Sequence, residues 1–560
     1  MPILSPIGRK SPKTRLLVAA IYSLLLLGAI SMLYPLGLML AGSTKSIADL
    51  RETALLPRFL CSDEALWQKH LEALFNESMD ALNVAFDSDF VSFESVPLPP
   101  PASPSADLLP LWREFLDSGA LPPNAVALGY YWAPQAGAFP SQLRAFRKRL
   151  REKYGTLPAL NAALGTDFDA WYSVFVQPPA YLFPHALPNA TPLAAEFDAF
   201  KLSSPPYCQV VLSPEGFFKK LYLKPRYSKD VSAYNAAHGT AYPSYSDVRL
   251  PSSFPSNAPP LVQSDWIDFT QNALSPLWTQ DGALDTPETR WRDFLASRSN
   301  AIPILDSEFW ILNSSPPPLP QLAHQAQLFR KHKTEIRREF LLRNYLTVLD
   351  HVLFHGRGIA NTVVYCALAV LLALLVNPLA AYALSRFKPA AAPQILLFLM
   401  LTMAFPHMVT QIPVFVLLRE LGLLNTFAAL LLPGMASGYS IFLLKGFFDS
   451  LPRDLYESAQ LDGAGEWTLF WHVTMRLSTP ILSVVALQAF SAAYANFMYA
   501  LLICQDSKMW TLMVWLYQLQ QRSGPGVVQA SLILAALPTL AVFVACQRVL
   551  LRGIVVPVEK

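Results

Sequence analysis

A short acidic segment, residues 457–480, has the residue types and spacing most indicative of chemistry. It reads ESAQLDGAGEWTLFWHVTMRLSTP and separates two apolar stretches, each long enough to cross a bilayer. Carboxylates such as Glu457 can pair with the guanidinium groups of a partner protein. Gly463 can take the positive φ at which helices commonly end. We therefore predict a docking surface for a soluble protein, with no catalytic residues and no metal site in the chain.

The docking loop, defined here as residues 449–478, is predicted to contain two short helices joined by a bend. Asp449 or Ser450 can cap the first helix, which would carry Pro452 in its first turn and stop near Gly463. The second helix is predicted over Glu466–Val473, directly after the bend. The apolar stretches on either side must position both helices.

The chain as a whole has the composition of an integral membrane protein, with 53% hydrophobic residues. A hydrocarbon core of about 30 Å needs about 20 helical residues. Six windows without acidic or basic residues meet this length: Leu16–Leu40, Gly358–Ser385, Pro389–Leu418, Leu421–Leu444, Leu477–Gln505 and Ser523–Gln547. We expect an all-α polytopic membrane protein with six transmembrane helices. A soluble extracytoplasmic insert, mainly α or α+β, would lie between helices 1 and 2.

Basic residues indicate which side of the membrane each loop faces. Arg9, Lys10, Lys13 and Arg15 precede the first window without an acidic residue, which places the N-terminus in the cytoplasm. After six spans the C-terminus and the docking loop face the same side. A cleaved signal peptide is the alternative for the first window, although about 25 apolar residues are long for one.

These observations predict a division of the chain into five parts. They are a cytoplasmic N-terminus (1–15), transmembrane helix 1 (16–41), the extracytoplasmic insert (42–355), a membrane core with helices 2–6 and the docking loop (356–552), and a cytoplasmic C-terminus (553–560). The insert holds most of the chain's 48 prolines, which argues against further membrane spans there. A basic helical pattern over Gln321–Val352 is predicted to return the chain to the membrane.

The insert contains an internal repeat. Residues Asn161–Thr166 read NAALGT, and residues Asn235–Thr240 read NAAHGT. A duplication of roughly 75–85 residues explains both copies. Gly165 and Gly239 are predicted to end helices, where a positive φ is needed. Cys61 and Cys208 both fall in the insert and could form a disulfide, and the five cysteines show no zinc-binding spacing.

The docking loop resembles the cytoplasmic loop of permeases of ATP-binding-cassette (ABC) importers. The family pattern is Glu-Ala-Ala, three residues, Gly, nine residues, then Ile-x-Leu-Pro. This chain has Glu457-Ser458-Ala459, Gly463 after three residues, and Val473-Thr474-Met475-Arg476 after nine more. Arg476 stands where the family has proline, and Pro480 could instead start the next helix.

Further pieces resemble the carbohydrate-importing, maltose-permease-like branch of this family. They are Tyr34-Pro35, Ser43-Thr44-Lys45, Asn344-Tyr345, Asn361-Thr362, Ala381–Phe387, Gly422–Thr426 and Thr511-Leu512. Tyr494–Phe497 reads YANF where the branch usually has Trp-Asn-Asp/Glu-Phe, so both the tryptophan and the acid are missing. The insert has no counterpart in the short family members.

The resemblance implies a permease subunit that moves sugars or oligosaccharides inward by alternating access, in a bacterial inner membrane. Its expected partners are ABC ATPase subunits, a second permease subunit, an extracytoplasmic solute-binding protein and membrane lipids, with no nucleic acid. The sequence has no Gly-Lys dipeptide and hence no GxxxxGK[ST] phosphate loop. We therefore expect no enzyme activity and no bound cofactor, with ATP used by the partner ATPase. The implied ATPase-coupling residues are Glu457, Ser458, Ala459, Asp462, Gly463, Ala464 and Phe470.

Polar residues within apolar windows are candidates for lining the solute path, because they are costly in lipid. They are Asn361, His407, Gln411, Tyr439, Tyr494 and Asn496. Hydrogen bonding between helices is the alternative for each of them.

Three alternatives stay open, one for the transported solute and two for the insert. The solute could be an amino acid, a polyamine or phosphate, because the docking loop carries no solute specificity. The insert could be a membrane-tethered glycan-binding or glycan-cleaving domain, with Glu94, Glu114 and Glu308 as the acids to test. It could also only stabilise the assembly.

Overall fold

A computed structural model describes residues 12–101, 108–177, 191–280, 283–298, 319–354, 357–402 and 406–553. The chain forms two compact units. The first is Met1–Thr347 with Ser523–Ala530, and the second is Val348–Arg522 with Ser531–Lys560. The predicted boundary between insert and membrane core, at residues 355 and 356, lies outside the described residues and stays a prediction.

The first unit is mainly helical. Its α-helices are Pro12–Gly42, Asp63–Leu74, Met79–Phe86, Leu109–Asp117, Ser141–Tyr154, Leu157–Leu164, Pro192–Ser203, Pro214–Phe217, Lys224–Arg226, Val231–His238, Pro260–Asp268, Pro287–Arg298 and Gln321–Phe354, with π-helical turns at Phe218–Leu223 and Phe269–Ala273. Two antiparallel pairs of short strands join Val126–Leu128 to Gln209–Val211 and Thr279–Gln280 to Ala283–Leu284. The helix at Gln321–Phe354 agrees with the basic pattern seen in the sequence.

Large aromatic side chains build the core of the insert. Trp67, Tyr130, Tyr131 and Phe146 are each at most 1% exposed. The ring of Tyr131 lies 4.6 Å from that of Phe197, within the range of favourable aromatic pairs. This core accounts for an aromatic content that a disordered linker would not have.

The two NAA-x-GT segments adopt the same local structure. Gly165 and Gly239 end their helices with φ of +66° and +65°. Asn161 then donates from Nδ2 to the carbonyl of Phe168 (2.8 Å) and accepts the backbone N–H of the same residue (3.1 Å). Asn235 makes the same pair of bonds with Tyr242 (2.8 and 3.1 Å). The shared geometry supports the predicted duplication.

A third copy of this structure lies at Asn83, which the sequence comparison missed. Its side chain donates to the carbonyl of Phe90 (2.9 Å) and accepts the N–H of Phe90 (2.8 Å), and the hydroxyl of Ser88 (3.0 Å). Asp87 ends the helix with φ of +47° in the place of glycine. Aspartate tolerates this conformation better than most residues, so the motif survives without its most recognisable residue.

Replacing the motif asparagine by alanine tests whether the three copies are equivalent. Each change removes three local hydrogen bonds, for which we expect a loss of about 1–3 kcal/mol of stability at each site. Asn161→Asp keeps the acceptor but turns the donor into an oxygen that faces the Phe168 carbonyl, so it should not restore the lost stability. Thermal unfolding of the purified full-length chain measures the effect. A midpoint unchanged by Asn83→Ala would contradict the equivalence of the third copy.

Buried polar contacts fix the insert to the end of the first long helix. Lys69 forms a buried ion pair with Asp49 (2.6 Å). Glu72 accepts hydrogen bonds from the hydroxyl of Ser46 and the N–H of Ala48, both 2.7 Å. Asn344 donates to the carbonyl of Ser43 (2.8 Å). These contacts pack helices of the insert against the segment that directly follows the helix Pro12–Gly42.

The second unit is also built of helices, most of them apolar. They are Gly358–Arg386, Ala392–Thr402, His407–Glu420, Phe427–Leu431, Gly438–Asp449, Arg453–Leu461, Glu466–Thr468, Met475–Leu477, Thr479–Tyr494, Phe497–Ile503, Leu512–Gln520 and Pro525–Gly553, whose first turns belong to the first unit. A π-helical turn at Leu469–Thr474 joins two of them into one helical segment, Glu466–Leu477.

By length and composition, three helices of the described residues could each cross a membrane: Thr14–Gly42, Gly358–Arg386 and Pro525–Gln547. Two bent pairs bring the number to five if each pair is one span: Phe427–Gly434 with Gly438–Asp449, and Glu466–Leu477 with Thr479–Tyr494. The third predicted window corresponds to Ala392–Thr402 and His407–Glu420, and residues 403–405 between them lie outside the described part. Six spans thus stay a prediction.

The suggested disulfide is absent. Cys61 and Cys208 are both free thiols. Cys208 is buried under the side chain of Gln142, whose Nε2 lies 3.5 Å from its sulfur, whereas Cys61 is exposed. Burial raises the pKa of the Cys208 thiol, which keeps it protonated.

Candidate functional site

The first helix of the docking loop covers Arg453–Leu461, with Pro452 at its N-cap position. The predicted cap at Asp449 or Ser450 is wrong. Ser450 instead donates its hydroxyl to the carbonyl of Phe447 (2.6 Å), in the last turn of the preceding helix. Proline suits the start of a helix because it has no N–H to leave unpaired.

Asp449 is occupied by contacts outside the loop. Its carboxylate accepts hydrogen bonds from Ser385 and Lys445, both 2.6 Å. Burial raises its pKa, but these two hydrogen bonds outweigh that effect and lower the pKa overall. Asp449 therefore ties the entrance of the loop to the end of the helix Gly358–Arg386.

The bend at Gly463 is a Schellman motif. Gly463 has φ of +83° and donates its N–H to the carbonyl of Gln460 (3.0 Å). Ala464 donates to the carbonyl of Ala459 (2.9 Å), which completes the pair of bonds that defines the motif. Asp462 is the last residue before the left-handed glycine. The sharp bend expected from the sequence is thus set by local backbone bonds.

The second helical segment, Glu466–Leu477, runs four residues beyond the predicted Val473. It turns by 81° into the helix Thr479–Tyr494. Pro480 lies in the first turn of that helix, so it takes the helix-start role for which the sequence offered it. Arg476 is exposed and does not disturb the turn.

Aromatic residues join the two halves of the loop to each other and to the helix Gly358–Arg386. The hydroxyl of Tyr456 lies 2.9 Å from Thr474 Oγ1, across the bend. The guanidinium of Arg386 lies 4.8 Å from the centre of the Tyr456 ring, a cation–π contact. Burial raises the pKa of Tyr456, so its hydroxyl stays protonated. The first loop helix is therefore in direct contact with the last residue of the helix Gly358–Arg386.

A second connection runs through Tyr382. Its hydroxyl donates to Glu466 Oε2 (2.7 Å), and its ring packs against Phe470 at 5.3 Å. Phe470, one of the predicted coupling residues, is buried, so it holds the loop in place rather than facing a partner. Sequence reasoning missed the roles of Tyr382 and Arg386, although both lie in the segment Ala381–Phe387 that it singled out.

The outer face of the loop combines carboxylates with exposed apolar side chains. Glu457, Ser458 and Asp462 are exposed, whereas Ala459 and Ala464 are half-buried. Leu461 is 89% exposed and Trp467 is 66% exposed. Large apolar side chains exposed together within a charged loop are typical of a protein interaction site.

Removing the Tyr382 hydroxyl tests the connection to Glu466. Tyr382→Phe keeps the ring contact with Phe470 but removes the hydrogen bond to the exposed Glu466, at a cost of about 0.5–1.5 kcal/mol. We expect solute uptake per ATP hydrolysed to fall about two- to fivefold. Glu466→Gln, which keeps an acceptor, should fall less. Equal uptake per ATP in all three proteins would show that this hydrogen bond carries no coupling.

Two of the predicted path residues are engaged in bonds between segments of the second unit. Asn361 donates from Nδ2 to the carbonyls of Lys508 (2.8 Å) and Trp510 (3.0 Å). Tyr494 donates its hydroxyl to the carbonyl of Ala535 (2.7 Å). For these two residues the structure favours the alternative of bonding between helices.

The other four differ in their surroundings. Asn496 donates to the hydroxyl of Tyr365 (3.0 Å) and is half-buried. Gln411 is half-buried, and Tyr439 is 42% exposed. The side chain of His407 lies outside the described part of the chain. A role in lining a solute path thus stays a prediction for these four residues.

Several apolar helices of membrane-spanning length define a multi-pass membrane protein, and its two-helix loop exposes carboxylates and large apolar side chains. Residues 369–556 match the family described as binding-protein-dependent transport system inner membrane component. The chain belongs to this family. The match begins after the insert, which it does not include.

Individual relatives agree with this assignment. The lactose transport system permease protein LacG of Rhizobium radiobacter is 30% identical over 34% of this chain and 71% of its own length. The trehalose/maltose transport system permease protein MalG of Thermococcus litoralis is 31% identical over 38% of this chain and 79% of its own. A putative ABC transporter permease of a Caldicellulosiruptor species is 30% identical over 41% and 84%.

Proposed function

We propose that this chain is the transmembrane permease subunit of an ATP-driven ABC importer that moves sugars or oligosaccharides inward. The observation that carries the proposal is the docking loop, whose exposed acidic and apolar face is fixed to the helix Gly358–Arg386. The lactose and trehalose/maltose permeases among its relatives support a carbohydrate as the solute. The protein would lie in a bacterial inner membrane with six spans and both termini in the cytoplasm.

The proposed mechanism is alternating access driven by a separate ATPase. When ATP closes the ATPase subunits, they would pull on the helix Arg453–Leu461 through Glu457. Tyr456 and Arg386 would pass this movement to one end of the helix Gly358–Arg386, and Glu466 and Tyr382 would pass it through a second contact. A second permease subunit would complete the path. ATP is used by the partner and not by this chain.

The insert would lie on the extracytoplasmic side and contact the solute-binding protein or the second permease subunit. Asn344 and Lys69 of the insert bind Ser43 and Asp49, which follow the first helix. These contacts would keep the insert in a fixed orientation to that helix while a partner protein binds. A glycan-cleaving insert has less support. Glu114 pairs with Arg298, Glu94 lines a cleft to which Glu114 does not contribute, and Glu308 lies outside the described residues.

The solute class is tested with the full-length chain purified together with its partners and reconstituted in liposomes. The solute-binding protein is loaded in turn with disaccharides, amino acids, polyamines and phosphate. We expect stimulation of ATP hydrolysis and uptake by the sugar-loaded protein alone. Stimulation by a non-sugar solute would replace the sugar assignment while leaving the importer in place. Release of free sugar from glycans by the purified chain would favour the tethered hydrolase.

A further inference from the structure

A nine-residue loop, Leu50–Arg58, follows the outer end of the first long helix and has an apolar tip. It reads LRETALLPR. Leu55 and Leu56 are neighbours and are 50% and 60% exposed, and Leu50 at the start of the loop is 44% exposed. Arg51 and Arg58, on either side of the tip, are also exposed. The loop therefore combines two water-exposed leucines with flanking positive charge.

The loop folds back along the first helix instead of extending away from it. A Cβ atom at Gly37 would lie 3.0 Å from Leu55 Cδ2, so the leucine packs where the helix has no side chain. Gly37 precedes the end of the helix at Gly42 by five residues, or about 7.5 Å. Residues 37–39 are half-buried, whereas most of the helix before them is exposed. Leu55 thus lies beside the apolar part of the helix.

The position of Gly37 along the first helix indicates how deep the loop Leu50–Arg58 lies relative to the membrane. Between Arg15 and Gly37 the helix rises about 33 Å at 1.5 Å per residue. The hydrocarbon core of a bilayer is about 30 Å thick. When Arg15 lies at the cytoplasmic boundary, Gly37 and the neighbouring Leu55 lie at the opposite boundary. The tip of the loop then reaches the level where acyl chains meet headgroups.

The folded insert holds the loop in this position. Lys45 donates from its ammonium group to the carbonyls of Leu50 and Glu52. Asp49, directly before the loop, forms the buried ion pair with Lys69. These contacts hold the start of the loop, and the contact of Leu55 with Gly37 places its tip beside the first helix.

Charged residues form the base of the loop, on the side of the insert. A cleft of about 470 Å³ is lined by Ala48, Arg51, Glu52, Arg58, Glu64, Ala65, Gln68 and Glu94. Arg51 and Arg58 thus belong both to the loop and to this polar cleft. The cleft also holds Glu52, Glu64 and Glu94, and Arg58 pairs with Glu52 (3.5 Å), so Arg51 is the basic residue of the loop best placed to meet a lipid phosphate.

We propose that Leu50–Arg58 is a lipid-inserting loop of the outer leaflet. Leu55 and Leu56 enter the outermost part of the acyl region, and Arg51 binds a lipid phosphate group. The insert then contacts the bilayer at a second place beside the first helix, which fixes its tilt against the membrane. This proposal rests on the first helix crossing the membrane and does not depend on the transported solute.

Depth-dependent quenching tests the proposal on the full-length chain in phospholipid vesicles. A fluorophore is attached at Leu56→Cys in a background in which Cys61 and Cys546 are replaced, and nitroxides are placed on the headgroup, or on a shallow or deep acyl carbon. We expect the shallow acyl nitroxide to quench most strongly. The control is Leu202→Cys, 51% exposed on another helix of the insert, which should be quenched weakly by all three.

Leu56 is chosen for labelling because the contact with Gly37 is made by Leu55. A label at residue 56 leaves that contact intact, so the labelled protein should fold. Leu50→Cys provides a second position, for which we expect quenching by the headgroup nitroxide. Equal, weak quenching at Leu56 and Leu202 would overturn the proposal. Quenching of Leu56 that appears only when a partner protein is removed would also overturn it, since the leucines would then cover a protein surface. Neither result would alter the assignment as an importer permease.

Discussion

Replacing Glu457 by lysine is expected to reduce ATP-driven uptake by at least about tenfold, with normal insertion of the chain into the membrane. Glu457 is exposed on the first loop helix and is proposed to pair with an arginine of the ATPase. Reversing a charge in such an interface costs several kcal/mol through repulsion, and 1.4 kcal/mol corresponds to a factor of about ten in affinity. Uptake in reconstituted vesicles and co-purification of the ATPase measure the effect.

The matched control for this prediction is Glu457→Gln, which keeps the shape and the acceptor oxygen. We expect it to retain more uptake than the lysine variant. Because Glu457 is exposed, neither change should lower the unfolding temperature of the isolated chain. Normal uptake by the lysine variant, with normal recovery of the ATPase, would contradict the proposed role of Glu457.

Replacing Gly463 by proline is expected to be at least as damaging as the lysine variant. The φ of +83° at this position is closed to proline, whose ring holds φ near −65°. Proline also removes the N–H that donates to Gln460. The two loop helices would then lose their relative orientation, and uptake should fall by about tenfold or more while the apolar helices still insert. Uptake and ATP hydrolysis by the reconstituted complex are the measurements.

Gly463→Ala separates the bend from a general loss of stability. No atom lies within 4 Å of a Cβ at this position, so alanine pays only for its positive φ. We expect an effect clearly smaller than that of proline. If both variants transported normally, the bend would not be needed for coupling.

The local structure of the docking loop was predictable because local chemistry determines it. Gly463 adopts the positive φ that ends the first helix, and Pro480 starts the next one. Both depend on residues only a few positions apart. The predicted cap at Asp449 failed because its carboxylate binds Ser385 and Lys445 instead. The sequence alone could not show that Ser385 lies next to Asp449 in the fold.

Tertiary contacts also limited the prediction of the other site residues. Asn361 and Tyr494 were predicted as path residues for their polarity, yet each is used in a bond to a distant backbone carbonyl. Tyr382 was noticed only as part of a motif, since its partner Glu466 lies 84 residues later. The repeat at Asn83 escaped because Asp87 replaces the glycine that makes the other copies recognisable.

The most direct measurement is photo-crosslinking from the docking loop of the full-length chain in its native membrane. A photoreactive residue at Leu461, which is 89% exposed, reports what covers the loop, and one at Leu202 of the insert serves as the control. We predict that Leu461 captures an ATP-hydrolysing subunit from the cytoplasmic side and that Leu202 does not. Failure of Leu461 to capture such a subunit, or its labelling by an impermeant reagent from outside, would contradict the central claim.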